Sequence, residues 1–185
     1  MNLPNKITLF RVILIPFFLV FLLVPGIPAG SWIALGIFII ASLSDMVDGK
    51  IARKYDLVTD FGKFMDPLAD KLLVCSAMIA LIELGRIPAW VVIIIIAREF
   101  TISGFRLIAS DNGVVIAASM WGKVKTTVQM VMVIMLIANL GTYFPGAAGV
   151  ITIIEYVLIY AAMLLTVISL IDYIVKNKEV IKTYK

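Results

Sequence analysis

Two pairs of aspartates, Asp45 with Asp48 and Asp66 with Asp70, sit on segments that are otherwise apolar enough for a membrane. A carboxylate in hydrocarbon is disfavoured by roughly 2.5–3.5 kcal/mol on insertion scales. Four of them together need a compensating partner. A bound divalent cation is the simplest, because it supplies positive charge and takes hard oxygen ligands. On an α-helix, residues three or four apart lie within about 40–60° of each other. Asp45, Asp48, Gly49 and Ala52 therefore share one face, and Gly62, Asp66 and Asp70 share another. On antiparallel neighbours, these faces would bring four carboxylates into one pocket. Gly49, Ala52 and Gly62 add little bulk beside them, so a ligand can approach closely. The structural alternative is that the aspartates only pair with Lys50, Arg53 or Lys63 at a membrane interface.

The elements that must position these residues are helices. The 185-residue chain is 62% hydrophobic, with a mean hydropathy of +1.08. This composition indicates an all-α integral membrane protein folded as a single bundle. A membrane-spanning helix needs about 20 apolar residues. Six segments qualify, at about 5–24, 31–54, 61–84, 88–110, 119–140 and 148–175, within a single domain covering 1–185. Turn sequences separate them: PGIPAG, LGRIP, SDNG and GTYFPGAAG, with one charged connection between the second and third. Pro67 biases Asp66 away from helical geometry, so a kink is expected there, or else a helix start capped by Asp66. The first segment is too long for the apolar region of a cleaved signal. There is no histidine, which excludes histidine-based nucleophilic catalysis and histidine metal ligation. Cys75 is the single cysteine and is expected in the core.

The basic residues set an orientation. Lys6 and Arg11, then Lys50, Arg53, Lys54 and Lys63, then Arg106, Lys123 and Lys125, and finally Lys176, Lys178, Lys182 and Lys185 all fall on one side of such a bundle. Both termini are therefore expected in the cytoplasm, with Trp32, Trp90 and Trp121 as interfacial anchors at segment starts. Asp45 lies about 21 Å along a helix from Ser31, hence roughly 9 Å from the cytoplasmic face of a core about 30 Å thick. Asp66 and Asp70 lie about 7–14 Å in from the same face. The two pairs reach one depth from opposite directions, where a lipid headgroup can meet a water-soluble reactant.

The pattern Asp45-x-x-Asp48-Gly49-x-x-Ala52-Arg53, eight residues, then Gly62-x-x-x-Asp66-x-x-x-Asp70 resembles the signature of the CDP-alcohol phosphotransferase family at every fixed position. Pro4-Asn5-x-x-Thr8-x-x-Arg11, Ala97-Arg98-Glu99 with Arg106, and Trp121-Gly122-Lys123-Val124-Lys125-Thr126-Thr127 followed by Gln129-Met130 are similar to its phosphatidylglycerophosphate synthase branch. The resemblance implies a six-helix membrane fold and a homodimer in a bacterial cell membrane. It implies two divalent ions, Mg²⁺ or Mn²⁺, on the second and third helices. It also implies transfer of a phosphatidyl group from CDP-diacylglycerol to sn-glycerol 3-phosphate, with release of CMP. No nucleic-acid partner is expected.

On this resemblance, Asp45, Asp48 and Asp66 are metal ligands, and Asp70 is a shared ligand that also acts as general base. Asp48, Gly49, Ala52, Arg53 and Gly62 form the nucleotide site, with Asn5 and Thr8 at the same pocket. Metal held there would bridge the diphosphate and stabilise leaving CMP. The acceptor carries its own phosphate, and Arg98, Arg106, Lys123 and Lys125 are the cations placed to bind it. Ordinary positive-inside placement explains Lys123 and Lys125 equally well. Three other readings stay open: the same chemistry with a serine or inositol acceptor, a prenyltransferase with two aspartate-rich motifs, and a divalent-cation transporter using intramembrane carboxylates.

Overall fold

The computed structural model describes residues 3–54, 60–111 and 119–177; within them, the side chains of 3–5, 45–54, 60–64, 66, 67, 70, 110 and 111 lie outside the description. All regular structure among the described residues is helical. Its elements are α1 (Leu3–Leu23), α2 (Gly30–Lys54), α3 (Asp60–Glu83), α4 (Ala89–Asp111), α5 (Met120–Ala138), the short α6 (Leu140–Tyr143), a 3₁₀ turn (Pro145–Ala147) and α7 (Ala148–Lys176). The stretch read as a plain connection after the fifth segment thus contains α6 and the 3₁₀ turn. Helix α3 begins well before Pro67, so that proline lies within the helix and not at its start.

Among the described residues, Lys6–Leu23, Met120–Tyr143 and Pro145–Lys176 are long and apolar enough to cross a membrane, and Gly30–Ser44 is a shorter apolar stretch. Large apolar side chains such as Ile93, Val157 and Phe17 are exposed. Such surface suits lipid, and the chain is that of a membrane protein. Trp32, Trp90 and Trp121 are exposed near the starts of α2, α4 and α5. Cys75, expected in the core, is half-buried.

By their internal packing, the residues form two compact units: Met1–Arg86 with Leu136–Asn139, and Ile87–Met135 with Leu140–Lys185. In the first unit, α1 packs on both α2 and α3, and α2 packs on α3. Helix α1 buries Thr8, Arg11, Ile15, Phe18 and Leu22, a stripe of alternating three- and four-residue steps. It faces Ala34, Phe38 and Ala41 of α2, and α3 buries Ala69, Leu73, Ala77 and Leu81. The Phe18 and Phe38 rings meet at 5.9 Å between centroids. Gly85, at φ +66°, closes α3: its N–H bonds the Ile82 carbonyl at 2.9 Å, and the Arg86 N–H bonds that of Leu81 at 2.9 Å.

At Gly30 the start of α2 lies close against the α1 backbone. A Cβ there would lie 2.5 Å from the Phe21 carbonyl oxygen, a backbone atom that cannot swing away. Gly30→Ala should therefore destabilise the protein by about 1–3 kcal/mol. Gly36, with nothing within 4 Å of a built Cβ, should accept alanine without loss. Thermal unfolding in detergent measures both, and equal midpoints for the two variants would refute this close packing.

In the second unit, α4 and α6 each pack on α7. Helix α7 buries Glu155, Ile159, Ala162, Thr166, Ser169 and Tyr173, again at three- and four-residue steps. Helix α4 buries Val91, Ile95, Arg98, Ile102 and Ala109. The Trp90–Tyr160 ring contact (6.3 Å) and the Arg98–Ser169 hydrogen bond (3.1 Å) lie about two turns apart on both helices, so α4 and α7 run parallel.

Candidate active site

The packed stripe of α1 turns polar toward its N-terminal end. On α1 the polar members are Thr8 and Arg11, both fully buried. On α2, the helix positions of Asp45 and Asp48 come seven residues after the buried Phe38 and Ala41. On α3, those of Asp66 and Asp70 come seven residues before the buried Leu73 and Ala77. Seven residues return an α-helix to within about 20° of its starting direction. The four aspartate positions thus fall in phase, along the helix backbone, with those buried residues. The Phe21–Gly30 and Phe18–Phe38 approaches show α1 and α2 running antiparallel. Extending that register carries Arg11 and Thr8 level with the Asp45–Asp48 turn of α2. The side chains of Asp45, Asp48, Gly49, Ala52, Arg53, Gly62, Asp66, Asp70 and Asn5 lie outside the described residues.

The second unit holds a buried cluster of charges. Arg98, on α4, is only 9% exposed, and Lys125, on α5, only 1%. Isolated ions at such depth are strongly disfavoured, and these two share an acid. Arg98 Nη1 donates to Glu99 Oε1 at 3.0 Å. Lys125 Nζ donates to the same oxygen. On its other edge, Arg98 Nε donates to Ser169 Oγ of α7 at 3.1 Å. That hydroxyl in turn donates to the Thr166 carbonyl at 3.0 Å. Arg98 Nη2 lies 3.4 Å from where a Cβ on Gly122 would stand, so the glycine leaves the guanidinium its room. Ser119 fixes the start of α5 beside it by accepting the Gly122 N–H at 3.1 Å, as an N-cap does. Among the described residues, two cations thus converge on one carboxylate.

Of the four basic residues expected to bind an acceptor phosphate, the structure brings Arg98 and Lys125 together. Arg106 and Lys123 are exposed on α4 and α5. Lys123 and Lys125 differ by two positions, about 200° around the helix, so they face nearly opposite ways. Glu155 is a member of the buried α7 stripe, and Asp172 pairs with Lys176 at 2.7 Å. Sequence reasoning placed Glu99 only as a candidate pairing partner of Arg98, as the structure shows, and assigned no role to Ser169. Glu99 carried a weak signal, a carboxylate beside Arg98 in an apolar run. Ser169 carried none, being 71 residues from its partner.

A family profile described as CDP-alcohol phosphatidyltransferase matches residues 1–173. The chain is 45% identical to the CDP-diacylglycerol–glycerol-3-phosphate 3-phosphatidyltransferase of Bacillus subtilis, over 98% of each chain. It is 40% identical to a probable phosphatidylglycerophosphate synthase of Mycobacterium tuberculosis, over 95% of this chain and 81% of that one. It is 39% identical to the CDP-diacylglycerol–glycerol-3-phosphate 3-phosphatidyltransferase of Haemophilus influenzae, over 94% of this chain and 91% of that one.

Proposed function

The chain belongs to the CDP-alcohol phosphatidyltransferase family, and on that premise we propose that it makes phosphatidylglycerophosphate from CDP-diacylglycerol and sn-glycerol 3-phosphate. The observation that carries this reading is the 45% identity, along the whole chain, to a relative named for that reaction. The acceptor hydroxyl oxygen bonds to the phosphatidyl phosphorus, the bond from that phosphorus to the CMP oxygen breaks, and the hydroxyl proton leaves to a base. Asp70 takes that proton, at a helix position one turn from Asp66. Asp45, Asp48, Asp66 and Asp70 would hold a pair of divalent ions, Mg²⁺ or Mn²⁺, whose charge offsets the diphosphate and the departing CMP. All-oxygen donors suit these hard cations, and the three- and four-residue spacing of the aspartates along the helices α2 and α3 supports the fit. Arg53 contacts the nucleotide, with Gly49, Ala52 and Gly62 leaving it space. Asn5 and Thr8 line the same pocket.

Arg98 and Lys125 bind the phosphate of the acceptor, assisted by Arg106 and Lys123 from the exposed surface. Their pairing on one acid supports a phosphate-bearing acceptor over a neutral alcohol. In this reading six helices cross the bacterial cell membrane, both termini lie in the cytoplasm, the site opens on that face, and the protein is a homodimer. The distribution of lysine and arginine supports the orientation.

The test is CMP release by purified protein in detergent with CDP-diacylglycerol and Mg²⁺ or Mn²⁺, comparing glycerol 3-phosphate, serine, inositol and no acceptor. Release should require glycerol 3-phosphate and stop on chelation. Release with another alcohol would keep the aspartate chemistry and remove the acceptor assignment. A folded protein releasing no CMP with any acceptor would overturn the reading.

A further inference from the structure

We propose that Glu99 is a positioning residue for the acceptor phosphate, holding Arg98 and Lys125 as a ready-made pair of cations. The proposal rests on the acceptor assignment made above. Its basis is the convergence of Arg98 Nη1 and Lys125 Nζ on a single oxygen, Glu99 Oε1. Two cations that close, with side chains only 10% and 1% exposed, repel each other with little screening by salt. The carboxylate between them removes that repulsion before any anion arrives.

The arrangement also fixes direction. Glu99 holds one edge of the Arg98 fork, and Ser169 holds the other at 3.1 Å. The guanidinium plane is thereby set, with Nη2 beside Gly122. Lysine is a flexible point charge, and its ammonium is located here by the same acid. An arriving phosphate then meets donors already in place, so less ordering accompanies binding. Glu99 is itself 22% exposed at its side chain, so the shared acid is reachable from outside the protein core. A carboxylate that merely neutralised two buried cations would affect folding and leave acceptor binding alone. A positioning carboxylate affects acceptor binding specifically.

Steady-state CMP release by the full-length protein, with CDP-diacylglycerol and glycerol 3-phosphate varied in turn, separates these roles. Glu99→Gln keeps the shape and removes the charge. It should raise KM for glycerol 3-phosphate about tenfold, the loss of roughly one charge-assisted contact. The KM for CDP-diacylglycerol should stay unchanged, and kcat should stay within about twofold. Glu99→Asp, which keeps the charge on a shorter stem, should recover part of the loss. Adding Glu99→Gln to Arg98→Ala should raise KM by less than it does alone, because Glu99 acts through the residue already removed. Should Glu99→Gln fail to fold, Glu99→Asp carries the same test through a smaller rise confined to the acceptor. If Arg98→Ala raises the acceptor KM and the Glu99 variants do not, the positioning role is wrong and the acceptor site stands. If Arg98→Ala leaves the acceptor KM unchanged, both are overturned. A Glu99 variant that lowers the unfolding temperature with no change in acceptor KM has a structural acid only, and that also overturns the proposal.

Discussion

Asp70→Asn should still bind CDP-diacylglycerol yet release CMP about 10²–10⁴-fold more slowly, the range expected when a general base is lost. Asparagine keeps the size and the oxygen of the side chain but cannot take a proton from the acceptor hydroxyl. The chain contains no histidine to substitute for it. Asp45→Asn should behave differently. Asp45 lies at a helix position one turn from Asp48 in α2 and is assigned with it to the metal, so its replacement should weaken metal and donor binding together. Titration calorimetry with CDP-diacylglycerol in detergent, at fixed Mg²⁺, reports donor binding, and single-turnover CMP release reports chemistry. The expected contrast is near-normal donor affinity in the Asp70 variant and reduced affinity in the Asp45 variant. Near-wild-type turnover in both would refute the assigned roles, and loss of donor binding in the Asp70 variant alone would reverse them.

Replacement of Arg98 should have the next largest effect. Arg98→Ala removes a buried cation bonded to both Glu99 and Ser169, and breaking a buried ion pair from one side costs of order 3 kcal/mol of stability. Lys125 still neutralises Glu99, so the variant should fold, with a lower unfolding temperature. The KM for glycerol 3-phosphate should rise about 10- to 100-fold, the equivalent of one hydrogen-bonded charge. Arg98→Lys separates charge from shape. A single ammonium cannot span Ser169 and Glu99 as a planar fork does. It should restore much of the stability and little of the acceptor affinity. A lysine variant with wild-type acceptor KM would show that only the charge at this position matters.

Both experiments depend on residues whose legibility in the sequence differs, for physical reasons. The aspartate pairs were legible because helix spacing alone puts Asp45 beside Asp48 and Asp66 beside Asp70, and because carboxylates in apolar segments demand an explanation. The all-helical class followed from composition, since a bilayer leaves few ways to satisfy backbone polar groups. The basic residues were legible as a group but not as a site. Their charge serves topology as well as binding, and nothing in a linear count separates Lys125, fully buried on an acid, from the exposed Lys123 two positions away.

Phase and partnership were decided only by the tertiary structure. In a water-soluble helix the apolar stripe marks the inward face. In a membrane helix it does not, because lipid is as apolar as the core. Ile93 and Ile95 of α4 illustrate the point: they are alike in sequence, yet one is 65% exposed and the other fully buried. Hence the burial of Thr8 and Arg11 on α1, Arg98 on α4 and Ser169 on α7 became visible only once neighbouring helices were in place. The same holds for Gly30, which resembles any turn glycine until the Phe21 carbonyl appears 2.5 Å from its missing Cβ. The sequence by itself determined the chemical groups, their spacing along each helix and the family. The packing decided that Arg98, Glu99, Lys125 and Ser169 form one cluster, because contacts between helices far apart in the chain depend on which faces meet, and an apolar surround leaves no periodic trace of that choice.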